Sequence, residues 1–189
     1  MYKTLREGQE LAIALRRELY QIEDIDIVVC PPYTLLAYLA DALETSNILI
    51  GAQDVYWQDE GAFTGEVSPV MLKDIGCKFV IIGHSERRQY FGETNESVNN
   101  KLKAGLRHNL IPIVCVGETL SQRESGQTFK VLDDHIHNGF KDINDADILK
   151  IVIAYEPVWA IGTGKNATAQ QAQEAQKYIR DLLRKMYNN

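Results

Sequence analysis

The sequence lacks the cysteine patterns that mark disulfide-rich or zinc-binding proteins. It contains three cysteines, Cys30, Cys77 and Cys115, and no two of them have the C-x-x-C spacing of a metal or redox motif. An odd number of widely spaced cysteines indicates reduced thiols, which are typical of cytoplasmic proteins. The first ten residues carry four charged side chains and no apolar core, so we expect no secretory signal and a cytoplasmic location.

Long hydrophobic runs and basic runs are also missing. The apolar runs, such as Phe79 to Ile82, are far shorter than the roughly 20 residues that cross a bilayer. The chain has 20 Lys and Arg against 26 Asp and Glu, so its formal net charge is −6. An acidic chain without a basic run is a poor match for nucleic acid or an anionic membrane. We therefore expect neither as a partner.

What the 189 residues do contain is an alternation of two kinds of segment. Five short apolar runs rich in β-branched residues predict parallel strands that are buried on both faces. Between them, apolar residues recur at helical spacing and predict about six helices. The predicted strands are Ile25 to Cys30, Ile48 to Gly51, Phe79 to Ile82, Ile111 to Val116 and Ile151 to Ala154. The helical stripes include Leu11, Leu15 and Leu19; Leu35, Leu39 and Leu43; Val98, Leu102 and Leu106; Phe129, Leu132, Ile136 and Phe140; and Ala172, Ala175, Ile179, Leu182 and Met186.

This βα order requires a parallel sheet with right-handed crossovers. It leaves two architectures open, a doubly wound sheet and a (β/α) barrel. No G-x-G-x-x-G follows a strand, so a dinucleotide-binding sheet has no support. Five strands are too few for a closed eight-stranded barrel, which usually needs about 250 residues. Because no Pro/Gly/Ser-rich linker interrupts the chain, we predict one domain over residues 1–189.

In both architectures, ligands bind at the carboxyl ends of the strands, where this sequence places polar residues. His84 follows the third apolar run and Glu156 follows the fifth, as a possible proton donor or electrophile and a possible base. Either residue alone has an ordinary alternative, since such a histidine is often structural and such a glutamate often caps a helix. We interpret the other histidines, His108, His135 and His137, as helix-surface or loop residues.

The segment after Glu156 has the composition of a lid. It reads EPVWAIGTGKNAT, with Pro157 and Trp159 at one end and Gly162 and Gly164 at the other. A bulky apolar tip between stiff and flexible ends is typical of a loop that closes over a ligand. Glycine amides near a helix start also suit a phosphate, although the segment lacks the spacing of a phosphate-binding P-loop.

Four segments of the sequence resemble the triosephosphate isomerase family. AYEPVWAIGTGKNAT (154–168) is similar to its active-site segment, and VIIGHSERR (80–88) is similar to its catalytic histidine segment. GAFTGEVSP (61–69) resembles its dimer-interface loop, and PIVCVGET (112–119) resembles its fifth strand and the loop that follows. The matches occur in the family's order along essentially the whole chain. The resemblance therefore implies a (β/α)8 TIM barrel.

The resemblance also implies an activity and residue roles. The family interconverts dihydroxyacetone phosphate and glyceraldehyde 3-phosphate through an enediolate, with no metal or organic cofactor, and is a well-known example of tuned acid–base groups. By resemblance, Glu156 is the base, and His84 is the neutral electrophile that polarises the carbonyl. Gly162 offers its N–H to the substrate phosphate. Glu86 is a supporting carboxylate beneath the substrate, and Cys115 is a packing residue beside the base.

A homodimer and a short helix come from the same resemblance. A helix that begins at Ser85 would point its amino end at the imidazole and keep it neutral. The interface loop would run from Gln53, with Thr64 at its tip reaching the neighbouring site and Glu66 lying near Arg87 of the partner subunit. The implied partners are thus a phosphorylated triose and a second copy of the chain.

The resemblance covers strands two to six of the family's eight. The first strand, with its Asn-x-Lys pair, and the seventh and eighth strands, with their phosphate-binding loops, have no counterpart here. We therefore expect the barrel to be incomplete and the 189 residues alone to be inactive. The alternative is a non-catalytic remnant, or a subunit that needs a complementary piece. Another phosphate-binding barrel enzyme is a more distant possibility, because the segment after Glu156 is so specific.

Overall fold

The computed structural model describes residues 1–187, in which helices and strands alternate as the sequence predicts. The helices of this described part are α1 (Leu5–Leu19), α2 (Tyr33–Leu43), α3 (Pro69–Asp74), α4 (Ser85–Tyr90), α5 (Asn95–Arg107), α6 (Leu120–Glu124), α7 (Thr128–Gly139), α8 (Asp145–Ile148) and α9 (Ala169–Tyr187). Its strands are β1 (Ile27–Val29), β2 (Ile48–Ala52), β3 (Phe79–Ile82), β4 (Ile111–Val116) and β5 (Val152–Tyr155). A short 3₁₀ turn, Val158–Ala160, follows β5.

Contacts between residues divide the chain into two compact units. The first contains Met1–Ile82 and Lys103–Pro112, and the second contains Gly83–Leu102 and the chain from Ile113 onward. A single domain over residues 1–189 stays a prediction.

In the first unit, three parallel strands pair in chain order. β1 pairs with β2 through Ile27 and Ile48, and β2 pairs with β3 through Gly51 and Phe79. Helix α2 lies on β2 and α1 packs on α2. The core of this unit consists of apolar residues that are almost completely buried: Leu35, Leu36, Leu39, Leu43, Leu72, Val80 and Ile82. Parallel strands covered by helices account for the near-continuous apolar runs in the sequence.

In the second unit, β4 and β5 pair in parallel. Their register runs from Ile113 opposite Val152 to Val116 opposite Tyr155, so the two strands end side by side. Helix α7 packs against α9, the longest helix at 19 residues. The core consists of Val98, Leu102, Val114, Leu132, Ile136, Phe140 and Ile179.

The five predicted strands are all present: β3 and β4 have the predicted bounds, and the ends of the other three differ by at most two residues. β1 begins at Ile27 rather than Ile25, because Ile25 is exposed in the bend that follows Asp24. The prediction of about six helices was too low, since the described residues form nine; α6 and α8 are short and carry no long apolar stripe. No helix within residues 1–187 is long and apolar enough to span a membrane.

Two helices begin at side-chain capping hydrogen bonds. The Ser68 hydroxyl accepts the Met71 N–H at 3.2 Å, and Pro69 occupies the first turn of α3. Before α9, the Thr168 hydroxyl accepts the Gln171 N–H at 3.2 Å, while the Gln171 side chain accepts the Thr168 N–H at 2.9 Å. These bonds satisfy backbone donors that the helix itself cannot pair.

We predict that Ser68→Ala lowers the free energy of unfolding by about 1 kcal/mol, because the Met71 N–H loses the buried Ser68 hydroxyl as its acceptor. Urea titration of the chain measures the change. Ser121→Ala, at an exposed serine, is the matched control and is expected to shift the midpoint very little. Equal midpoints for the two variants would contradict the capping role.

Candidate active site

A cavity of about 480 Å³ opens in the second unit, at the carboxyl ends of β4 and β5. Sites of this size and position are typical of α/β enzymes. Its walls combine backbone, apolar and titratable groups from the starts of α4 and α6, from α7 and from both strand ends. The lining residues are Gly83, Ser85, Arg88, Gln89, Cys115, Val116, Gly117, Thr119, Gln122, His135, Glu156 and Val158.

The carboxylate of Glu156 lies between Ser85 and His84. Its Oε1 accepts the Ser85 hydroxyl at 2.7 Å, and its Oε2 accepts the Ser85 backbone N–H at 3.1 Å. Oε1 is also 3.2 Å from Nε2 of His84. The Glu156 side chain is only 16% exposed, so these contacts occur largely away from bulk water. The structure thus brings together the two residues that the sequence proposed as base and electrophile.

His84 is held in one orientation by the helix it begins. It is the N-cap of α4, and its Nδ1 accepts the Glu86 backbone N–H at 3.3 Å. In a neutral imidazole, the nitrogen that accepts a hydrogen bond carries no proton, so this contact places the proton on Nε2. Nε2 is the nitrogen that faces Glu156. The short helix predicted from Ser85 is present. In this orientation the neutral His84 ring directs its Nε2–H toward Glu156.

The strand ends are packed so closely that one position requires glycine. A Cβ on Gly117 would lie 1.7 Å from the Glu156 carbonyl oxygen, which is an impossible contact. The Glu156 N–H continues the ladder by donating to the Val116 carbonyl at 2.8 Å. The backbone that carries Glu156 is thus fixed against β4. Cys115, on β4, is buried and lines the cavity.

A second carboxylate, Glu118, is completely buried behind the lid segment. Its oxygens accept hydrogen bonds from Arg123 at 2.9 Å and from the Tyr155 hydroxyl at 3.0 and 3.1 Å. Burial and the neighbouring Glu118 charge raise the pKa of Tyr155 to about 12. The Arg123 guanidinium also lies 4.5 Å from the ring of Trp159, which is buried. The buried Glu118 carboxylate needs such partners. Through Arg123, which contacts both Glu118 and Trp159, the network joins the start of the lid segment to α6.

Of the segment after Glu156, only Val158 lines the cavity. After the 3₁₀ turn the chain is exposed from Ile161 to Asn166, and Gly162 and Gly164 have left-handed φ angles of 67° and 73°. The Thr163 hydroxyl donates to the Trp159 carbonyl at 2.8 Å.

Several predicted site residues lie outside the cavity. His84 contacts Glu156 but is not among the residues that line the cavity. Gly162 is on the exposed lid segment, and the Glu86 side chain is 66% exposed and contributes to the site through its backbone N–H. The four residues proposed for the dimer interface are likewise not in its lining: Gln53, Thr64, Glu66 and Arg87. Among residues 1–187, no group of three or more His, Cys, Asp and Glu side chains could hold a metal ion.

His135 corrects one interpretation of the sequence. It is not on the surface of α7 but half-buried and lining the cavity, where its Nδ1 lies 3.5 Å from the Gly117 N–H. Burial, reinforced by the nearby Arg88 charge, lowers its pKa to about 4. Its spacing of three residues from buried Leu132 placed it on the inner face of the helix, and this signal could have been used.

The comparison with known proteins agrees with this geometry. The sequence model of the triosephosphate isomerase family matches residues 1–189. The triosephosphate isomerase of Moorella thermoacetica is 52% identical over 187 residues, which are 99% of this chain and 75% of that protein. Those of Trichlorobacter lovleyi and Thermoanaerobacter pseudethanolicus are 51% and 52% identical, covering 99% and 93% of this chain and 74% and 72% of theirs. The chain belongs to the triosephosphate isomerase family.

Membership in the triosephosphate isomerase family decides between the architectures that the sequence left open. The fold is that of a TIM barrel, of which this chain supplies five parallel strands with their helices. Within each unit, consecutive strands are neighbours, as they are in a barrel. The activity of the family is that of an isomerase that interconverts triose phosphates.

We predict that His135 makes the chain acid-labile. Its pKa is about 4 when folded, below the ordinary value of about 6.5, so the unfolded chain binds the proton first as the pH falls. His135 therefore leaves the free energy of unfolding unchanged above pH 6.5 and lowers it progressively as the pH falls from 6.5 to 4. Chemical denaturation at pH 7 and pH 5 measures the free energy of unfolding. Its decrease between the two pH values is expected to be about 1–2 kcal/mol larger in the native chain than in His135→Gln. Parallel pH dependences would contradict the assignment.

Proposed function

We propose that Glu156 and His84 are the catalytic base and electrophile of triose-phosphate isomerisation in this chain. The observation that carries the proposal is their direct contact: 3.2 Å separates Glu156 Oε1 from His84 Nε2, and the Glu86 N–H donates to His84 Nδ1. A base and a hydrogen-bond donor side by side are what removal of a proton next to a carbonyl needs.

The reaction then proceeds by internal proton transfer. The Glu156 carboxylate takes a proton from the carbon next to the substrate carbonyl, and the released electron pair forms the double bond of the enediolate. Nε2–H of His84 donates a hydrogen bond to the oxygen on which negative charge develops, and His84 moves a proton between the two oxygens. Glu156 returns its proton to the neighbouring carbon, which completes the exchange of aldehyde and ketone without net oxidation. To reach carbon, Glu156 exchanges its hydrogen bonds with Ser85 for contact with the substrate.

The lid protects this intermediate. An enediolate with a phosphate on the next carbon can eliminate that phosphate, and excluding water while holding the phosphate suppresses the loss. We propose that the Gly162 N–H binds the phosphate when the lid closes. Its exposed position and left-handed backbone leave that N–H accessible.

We further propose that the enzyme is a homodimer. The loop from Gln53 to Glu66 presents exposed residues around Phe63, whose ring is 4.7 Å from that of Tyr56. Phe63 is 41% exposed, although it belongs to a cluster of aromatic rings. Covering that cluster with a second copy would remove apolar surface from water. Thr64 and Glu66 would then lie in the interface, with Glu66 near Arg87 of the partner subunit.

We predict that Glu156→Gln lowers kcat by about 10²–10⁴-fold, because an amide keeps the shape but cannot take the proton. Turnover is measured in a chimera in which this chain replaces the 187 matching residues of the Moorella protein, hereafter the chimera. Affinity for inorganic phosphate is expected to remain. Glu96→Gln, at an exposed glutamate of α5, is the control. Near-normal turnover in Glu156→Gln would refute the assignment.

Deleting 160–164 from the chimera is expected to increase the ratio of phosphate eliminated to isomer formed, since water then reaches the enediolate. Product analysis by NMR gives the ratio directly. The lid has no such role if that ratio equals the value for the intact chimera.

We predict that the chimera sediments as a dimer at micromolar concentration and that Phe63→Asp shifts it toward monomer. Phe129→Asp is the matched control, because Phe129 is similarly exposed, at 45%, on α7. A monomeric chimera, or equal dissociation in both variants, would reject the proposed interface.

A further inference from the structure

The residue that precedes His84 is held by side chains on both of its backbone groups. The Gly83 N–H donates to Glu93 Oε1 at 2.9 Å, and the Gly83 carbonyl accepts Arg88 Nε–H at 2.9 Å. Gly83 has a left-handed φ of 75°, and a Cβ there would lie 3.2 Å from the Cys115 carbonyl oxygen. Only glycine combines this φ with so close an approach, so the peptide before His84 has little freedom to move.

Glu93 is a fixed acceptor. Its side chain is 2% exposed, and its Oε2 accepts Lys101 Nζ at 3.0 Å and Arg87 Nε at 2.9 Å. Burial alone would raise its pKa, but Lys101, Gly83 and Arg87 outweigh burial, so the pKa lies below its usual range. An ionised carboxylate held by three donors cannot follow a displacement of Gly83 without breaking its other bonds.

Arg88 is fixed from its other end. Its Nη1 donates to Asn95 Oδ1 at 2.8 Å, and the Asn95 amide donates to Asp134 Oδ2 on α7 at 2.8 Å. Its Nη2 is buried and has no hydrogen-bond partner among residues 1–187, which is unusual for a guanidinium. Arg88 therefore links the Gly83 carbonyl to Asn95 and, through Asn95, to α7.

We propose that Glu93 and Arg88 are positioning residues that aim the His84 imidazole by clamping Gly83. The inference rests on the proposed role of His84. Because His84 follows Gly83 directly, any rotation at Gly83 moves Nε2 relative to the carboxylate 3.2 Å away. A displacement of about 1 Å can reduce an enzymatic rate about 100-fold. Glu93 does not line the cavity, and its hydrogen bond to the Gly83 N–H connects it to the residue before His84; Arg88 lines the cavity as well as holding the Gly83 carbonyl.

The test of Glu93 compares two double variants of the chimera, Glu93→Gln/Lys101→Met and Glu93→Leu/Lys101→Met. Both remove the buried ion pair, so neither leaves an unpaired lysine. The glutamine retains an oxygen for the Gly83 N–H, whereas the leucine does not. We expect kcat to be about tenfold or more lower in the leucine variant, with KM within threefold of the glutamine variant.

The test of Arg88 compares Arg88→Lys with Arg88→Met in the same way. The lysine keeps a donor for the Gly83 carbonyl, so we expect it to recover kcat relative to the methionine. The comparison of Arg88→Lys with Arg88→Met also tests the clamp if the Glu93→Leu/Lys101→Met variant does not fold. Asn99→Ala is the structural control, since Asn99 is a buried anchor on α5 that bonds the carbonyls of Gly139 and Lys141.

A background of His84→Gln separates this inference from the proposed function. If the clamp acts through His84, the kcat losses largely disappear in that background. The clamp would be overturned if the kcat losses were equally large with and without His84, or if kcat were equal within each pair of variants. It would also be overturned if Asn99→Ala, at a similar decrease in thermal midpoint, lowered kcat as much as the clamp variants do. Normal turnover in His84→Gln alone would instead refute the proposed function.

Discussion

The structure of the site depends on the hydrogen bonds between the Glu156 carboxylate and Ser85. Glu156 leaves the end of β5 and Ser85 begins α4, so their two bonds of 2.7 and 3.1 Å join a strand end to a helix start. The same contact brings Glu156 Oε1 within 3.2 Å of His84 Nε2. Without it, a buried carboxylate would lack donors, and the proposed base would have no fixed relation to the proposed electrophile.

The rest of the second unit keeps these two residues in place. Gly117 allows the Glu156 backbone to pack against the end of β4, where a side chain would collide with it. Glu118, Arg123 and Tyr155 form a buried network behind the lid, which fixes the chain on the other side of Glu156. The polar groups nearest to the proposed reaction are therefore held by a surrounding layer that is itself hydrogen-bonded, as preorganised catalysis requires.

The sequence predicted much of this arrangement, because the strongest signals are local. The five apolar runs became strands, and the apolar stripes between them became helices. His84 and Glu156 could be selected because each follows a strand and lies in a distinctive segment. The hydrogen-bonded side chains around them, such as Glu118 and Tyr155, could not be predicted in the same way, since their partners are far apart in the sequence.

Glu93 and His135 show what local patterns miss. Glu93 follows a glycine in what reads as a polar loop, and its burial results from Lys101 and Arg87, which only the fold brings to it. The sequence places His135 on a helix surface or in a loop, because an isolated histidine is more often structural than catalytic; tertiary packing places it beside Gly117 instead. The helix count was low for a related reason: α8 depends on the Asn144 cap rather than on an apolar stripe.

The proposed mechanism depends on His84 presenting Nε2–H to the substrate while its Nδ1 accepts a backbone N–H. Nitrogen-15 NMR of histidine-labelled chimera at pH 8, assigned with His84→Gln, tests this most directly. We expect His84 to be the neutral tautomer with its proton on Nε2 and an unprotonated, hydrogen-bonded Nδ1. A proton on Nδ1 of His84, in either the other neutral tautomer or the imidazolium, would contradict it.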